Sequence, residues 1–150
     1  MGIALRGINC MIAVDTNVLI YRLDRSEPKK QKQARSLLQK LVSDPELSII
    51  PWQVLCELVR QLRYWQDQKQ LTRNAVLRYV GAFCRLFPVV TPTIAVMDHA
   101  LALSARYSLS HWDSVLLGAC KEISVTTLYT EDMGSPCTFD GIQLINPFAL

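Results

Sequence analysis

Met11 to Tyr21 read MIAVDTNVLIY: an apolar run, Met11 to Val14, cut off by Asp15-Thr16-Asn17 and followed by more apolar residues. A short apolar run closed by a capping cluster predicts a buried strand giving way to a helix, with Thr16 or Asn17 as the expected N-cap. Asp15 then stands at the carboxyl end of the strand. Working outward, Lys29 to Val42 places Ala34, Leu37, Leu38 and Leu41 at helical spacing with lysines and glutamines opposite, the pattern of an amphipathic helix. Leu47 to Ile50 predicts a second buried strand, and Pro51 permits a helix to start at once, with Val54, Leu55, Leu58, Val59 and Leu62 as its buried stripe and Glu57 upon it. Thr72 to Phe87 repeats the helical pattern, Val89-Val90 suggests a third strand, and Thr93 to Tyr107 is an alanine-rich helix.

Ser110 and Asp113 form a capping box with Asp in place of Glu, opening an apolar helix through Val115, Leu116, Leu117 and Ala119. The β-branched run from Ser124 to Tyr129 predicts a fourth strand, Thr130 to Asp140 a polar loop, and Ile142 to Ile145 a last short strand. Strands alternating with helices imply an α/β fold: three layers, α/β/α, around a mostly parallel sheet of four to five strands.

With 150 residues, half of them hydrophobic and 19% charged, the chain has enough apolar material for one domain with a sizeable core, and composition excludes disorder. The longest uncharged stretch, Leu86 to Met97, is twelve residues and carries Pro88 and Pro92, against the roughly 20 that a bilayer requires. The opening residues lack a small-residue cleavage pattern, so no signal peptide and a cytoplasmic location are expected. Five cysteines at positions 10, 56, 84, 120 and 137, odd in number and without a CxxC pair, read as reduced core thiols. Net charge is +3 but uneven: seven basic and two acidic residues lie between Arg22 and Lys40, whereas six acids from Asp98 onward meet only Arg106 and Lys121.

In an open α/β sheet, ligands bind beyond the carboxyl ends of the strands, where Asp15 and Asp132 are expected. Glu57 and Asp113, on helices that flank those ends, bring the convergent carboxylates to four. Each has a plainer reading. Asp113 suits a helix cap, and Glu57, three residues from Arg60, suits an exposed ion pair.

Four motifs weigh against the plainer readings: MIAVDTNVLIY at 11–21, ELVRQL at 57–62, LSHWDSVLLGAC at 109–120 and LYTEDM at 128–133. In this order and at these separations they resemble PIN-domain nucleases, and with the ending DGIQLINPF they resemble VapC-type toxin ribonucleases in particular. The resemblance spans Met11 to Phe148. It implies an acidic quartet at Asp15, Glu57, Asp113 and Asp132, with Asn17 and Thr130 orienting water or phosphate, and it leaves open whether Glu131 or Asp132 faces the metal. Asp15 and Asp113 are the expected ligands of Mg²⁺ or Mn²⁺, joined by Glu57 and Asp132. It further implies an RNA substrate, a homodimer, and a small antitoxin protein whose C-terminal segment blocks the groove. Residues 1–10 are then an extension before the nuclease domain at 11–150, because family members start only a few residues before the first Asp.

The chemistry fits those residue types. A polyanionic substrate is repelled by carboxylates unless they first hold divalent cations, and hard oxygen ligands suit Mg²⁺ and Mn²⁺. Setting the quartet aside leaves sixteen basic against nine acidic residues, the distribution a nucleic-acid enzyme requires. His99 and His111 read as structural, Trp112 as the aromatic that the family carries beside its acid, and Trp52 and Trp65 as packing or interface residues. Cys56 lacks a positioned histidine and is no nucleophile. A dehalogenase-like phosphatase needs a second Asp at position 17, where Asn stands. The competing readings are a flap-endonuclease-like DNA nuclease, disfavoured by the short chain, and a catalytically silent RNA-binding module.

Overall fold

The computed structural model describes residues 10–44 and 46–149. The expected extension over residues 1–10 lies outside them except for Cys10, which is exposed. Elements among the described residues run β1 (Met11–Val14), α1 (Thr16–Leu23), α2 (Pro28–Ser43), β2 (Ser48–Pro51), α3 (Trp52–Asp67), α4 (Arg73–Leu86), β3 (Val89–Val90), α5 (Ala95–Arg106), α6 (His111–Glu122), β4 (Val125–Tyr129), β5 (Cys137–Phe139) and β6 (Ile142–Ile145).

One sheet has the order β3-β2-β1-β4-β6-β5. All neighbours are parallel except β5 and β6. Helices α1 to α4 pack on one another in one group and α5 on α6 in another, the three-layer arrangement that alternation implies. Val14, Val18, Leu19, Ile49, Leu58, Leu62, Leu117, Leu128 and Leu144 form the fully buried centre.

Two expectations are corrected. The sheet has six strands, because Cys137–Phe139, read as part of a polar loop, pairs antiparallel with β6. The turn between them is Asp140-Gly141, both at positive φ (46° and 82°), a dipeptide suited to a two-residue hairpin. Asp140 also accepts from Tyr107 Oη at 2.8 Å and Lys121 Nζ at 2.8 Å, and pairs with Arg106 Nη1 at 2.6 Å, which ties the hairpin to α5 and α6. The second correction concerns the N-cap of α1, which is Asp15 itself: its Oδ1 accepts the Thr16 N–H at 2.6 Å.

Helices α5 and α6 approach closely at Gly118. A Cβ there would lie 2.8 Å from the Val96 carbonyl oxygen and 3.0 Å from the Ala100 nitrogen. The strand order reverses at β1: β2 lies on one side and β4, much later in the chain, on the other. Loops leaving β1 and β4 therefore open one crevice at the switch point.

Candidate active site

Asp15 leaves β1 and Thr130 leaves β4, and the ladder continues through them: the Asp15 N–H donates to Tyr129 O and the Thr130 N–H to Ile145 O, both at 2.9 Å. Both residues are buried. Thr130 Oγ1 donates to Asp15 Oδ2 at 2.7 Å and accepts the Asp132 N–H at 3.0 Å. Burial pushes the Asp15 carboxyl up to about 6; the bonds from Thr130 and the Thr16 N–H oppose the rise, and the charges of Asp132 and Glu57 add to it.

Glu57 is not paired with Arg60, and Arg60 forms no ion pair among the described residues. Glu57 Oε2 instead accepts from Thr16 Oγ1 at 2.5 Å and Oε1 from Gln53 Nε2 at 2.9 Å. Gln53 Nε2 also lies 3.2 Å from the Trp112 carbonyl oxygen, just before Asp113. Gln53 thus ties the start of α3 to the start of α6. Ser110 caps α6 by accepting the Asp113 N–H at 3.2 Å, which leaves the half-buried Asp113 carboxylate to act through its charge.

The structure separates Glu131 from Asp132. Glu131 Oε1 accepts from Tyr21 Oη at 2.8 Å and Oε2 pairs with Lys30 Nζ at 3.0 Å, while Lys30 also sits 4.5 Å from the Tyr21 ring centre. Glu131 is thereby held on α1 and α2. Asp132 Oδ2 accepts from Asn17 Nδ2 at 3.2 Å, and the same amide reaches Thr130 Oγ1 at 3.4 Å. Partial loss of water raises the Asp132 pKa; the Asn17 bond opposes this, and Glu131, Asp113 and Glu57 add repulsion. Asp15 and Asp132 each feel the charge of Glu57, and Asp132 also feels that of Asp113, so Asp132 links Asp113 to the other acids.

Asn17, Glu57 and Asp132 line a cleft of about 840 Å³ with Thr16 and Gln53. Asp15 and Thr130 lie behind its wall, joined to it through Thr16 and Asn17. Among the described residues no three His, Cys, Asp or Glu side chains are already disposed as a ligand set. The Asp15, Glu57 and Asp132 carboxylates are held by neutral hydroxyl, amide and backbone N–H donors. The donor set nevertheless suits a hard divalent ion: every candidate ligand atom is oxygen, and Asn17 Oδ1 is a buried acceptor without a partner. Thr16 and Gln53 were missed in the sequence. Gln53 had a legible signal, since a glutamine four residues before a glutamate shares its helix face. Thr16 had none beyond adjacency.

Among the other residues, Cys120 is a core thiol, pushed up to about 12 by burial and by the charge of Asp15, and Cys137 packs half-buried against the core; Cys10, Cys56 and Cys84 are exposed, against expectation. Trp65 packs on the core, but Trp52 is 46% and Trp112 64% exposed. His99 Nε2 is 3.1 Å from Glu122 Oε2, a link between α5 and α6, whereas His111 is exposed and stacks edge-on against Trp112.

Comparison with known proteins agrees with this geometry. A ribonuclease of Mycobacterium tuberculosis, VapC23, is 28% identical over 123 residues, covering 81% of this chain and 93% of that protein. A toxin-antitoxin complex from Klebsiella pneumoniae contains a chain that superposes with a TM-score of 0.66 at 17% identity, over 93% of this chain and 99% of that one. VapC20 of Mycobacterium tuberculosis, a sarcin-ricin loop cleaving toxin, superposes with a TM-score of 0.58 at 15% identity, over 88% of this chain and 98% of that one. The family model of the PIN domain matches residues 12–134, most of the chain and all four acids, so this chain belongs to the PIN domain family.

Proposed function

We propose that this chain is a divalent-metal-dependent endoribonuclease, the toxin of a toxin-antitoxin pair. The observation that carries the reading is the hydrogen-bonded set Asp15–Thr130–Asn17–Asp132 and Asp15–Thr16–Glu57 beside one cleft, with Asp113 following the cleft-lining Trp112 and acting on Asp132 through its charge. Asp15 and Asp113 would hold Mg²⁺ or Mn²⁺, with Glu57 and Asp132 completing the set. The ion, when bound, supplies a water of lowered pKa and offsets charge on the phosphate. Thr130 orients the Asp15 carboxylate and the Asp132 backbone from behind the cleft wall, and Asn17, which lines the cleft, orients Asp132 and an incoming water or phosphate; Thr16 and Gln53 fix Glu57. The named activities of VapC23 and VapC20 support RNA as substrate, and the Klebsiella complex supports a small antitoxin as partner. The active form is a homodimer in the cytoplasm. No helix among the described residues is long and apolar enough to cross a membrane.

The test is cleavage of RNA by the purified chain with Mg²⁺ or Mn²⁺, with excess chelator, and by Asp15→Asn. Cleavage is expected only for the parent with metal. Undiminished cleavage in chelator, or by a folded Asp15→Asn variant, would overturn the assignment. Metal binding without cleavage of any RNA would favour the silent RNA-binding module.

A further inference from the structure

The cleft does not end at the acids. It continues along α3, whose Gln53, Glu57, Arg60 and Tyr64 recur at intervals of three or four residues and so share one helix face, and Trp112, at the start of α6, also lines it. Tyr64 is 56% and Trp112 64% exposed, unusual for large aromatic side chains beside a polar site. A shallower depression of about 370 Å³ shares Cys56, Arg60 and Tyr64 with the cleft and extends it to Arg63. Neither arginine is engaged in an ion pair among the described residues. Two open aromatic faces and the unpaired guanidinium of Arg60 therefore adjoin the carboxylates on a single track, with Arg63 and Asp67 at its far end. Glu57 and Tyr64 are separated by about two turns, roughly 10 Å along the axis, within reach of nucleotides next to a scissile phosphate.

We infer that this α3 track is the substrate-selecting surface of the site, and that its occupant is an unpaired RNA segment. Tyr64 and Trp112 stack on bases flanking the cleaved bond, and Arg60 meets a backbone phosphate. The inference rests on the RNA-cleavage reading above. Charge decides the occupant: Asp67 lies four residues from Arg63 in the same depression, but Arg60 has no ion-pair partner among the described residues, since Glu57 is taken by Thr16 and Gln53. A purely apolar partner face would leave Arg60 facing no anion, whereas a single strand offers phosphates and π faces at alternating positions. Base-paired RNA keeps its bases stacked internally and cannot present them to either ring.

The experiment is fluorescence anisotropy of a short fluorescein-labelled single-stranded RNA of mixed sequence, and of the same strand annealed to its complement, with the full chain in Ca²⁺, a hard divalent ion that offsets the charge of the carboxylates, and with RNA integrity verified on gels. The parent is expected to prefer the single strand. Tyr64→Ala and Trp112→Ala should each weaken that binding on the order of tenfold or more, while Tyr64→Phe and Trp112→Phe stay within about twofold. Arg60→Gln should reduce the slope of log affinity against log salt by about 0.7. Melting curves and circular dichroism verify the fold, and light scattering reports oligomeric state. Alanine variants that bind the single strand like the parent would overturn the inference, as would loss of self-association at unchanged RNA affinity, which would assign the face to a second copy. Cleavage assayed separately in Mg²⁺ distinguishes the two failures. A parent that cleaves RNA alongside unaffected variants sinks only the track; a parent that neither binds nor cleaves RNA sinks the function as well.

Discussion

Neutralising Asp15 should stabilise the metal-free protein while abolishing its activity. The Asp15 carboxyl rises from an ordinary value near 3.8 to about 6 in the folded chain, chiefly through burial. Because the folded value is the higher one, the charged carboxylate is a destabilising group. Its penalty is absent below pH 4, where folded and unfolded chains both carry the proton, and it is complete once pH exceeds the folded value. The gap between the two values corresponds to about 3 kcal/mol. Asn at position 15 removes that penalty and still caps α1 by accepting the Thr16 N–H, but it deprives the Thr130 hydroxyl of its acceptor, a loss of about 1 kcal/mol. The net gain of about 2 kcal/mol should raise the melting temperature by about 4–8 °C for a chain of this size. The assay is thermal unfolding of parent and Asp15→Asn in chelator from pH 4 to pH 8. The two curves should coincide near pH 4 and separate progressively through pH 6. Mg²⁺ at tenfold above its dissociation constant should then return about 1.4 kcal/mol to the parent and little to the variant. A melting difference that is constant across this range, or a variant that melts lower at pH 8, would refute the reasoning.

Other outcomes follow from particular contacts. Glu57→Gln and Asp113→Asn should each abolish cleavage with circular dichroism unchanged, while Asp132→Asn should be milder because Asn17 and Thr130 still hold its loop; kinetics on one RNA substrate rank the three. Gly118→Ala should destabilise by about 1–3 kcal/mol despite the better helix propensity of alanine, since the new methyl meets backbone atoms of α5; an unchanged melting temperature would contradict that packing. Asp140 is held at about 2 by Lys121, Tyr107 and Arg106, so its stabilisation is present above pH 4 and lost as pH falls through 2. Asp140→Asn keeps the turn conformation and should cost about 1–2 kcal/mol at pH 7, discounted for the solvent-facing Arg106, with the difference shrinking below pH 4 in acid titrations followed by circular dichroism.

The element order was legible because its signals are local. Apolar runs at 11–14 and 125–129, stripes such as Val54, Leu58 and Leu62, and caps such as Ser110 each act within a few residues, so periodicity and chain chemistry alone place the strands and helices. Asp15, Glu57, Asp113 and Asp132 could be singled out because each stands at an element end or on a motif that survives without knowing what lies opposite. Strand β5 was missed although its signal, the Asp140-Gly141 turn, is also local; the polar residues before it masked the pairing.

Only the tertiary structure decided how the acids meet. Thr16 reaches Glu57 across 41 residues, Thr130 reaches Asp15 across 115, and Lys30 takes Glu131 away from the cleft across 101. These bonds depend on the strand order that seats β4 beside β1, and on the burial that makes an unbonded carboxylate costly there. Residues so far apart in the chain interact through space alone, and no periodicity or short-range propensity records which of two adjacent acids will find a lysine and which an asparagine.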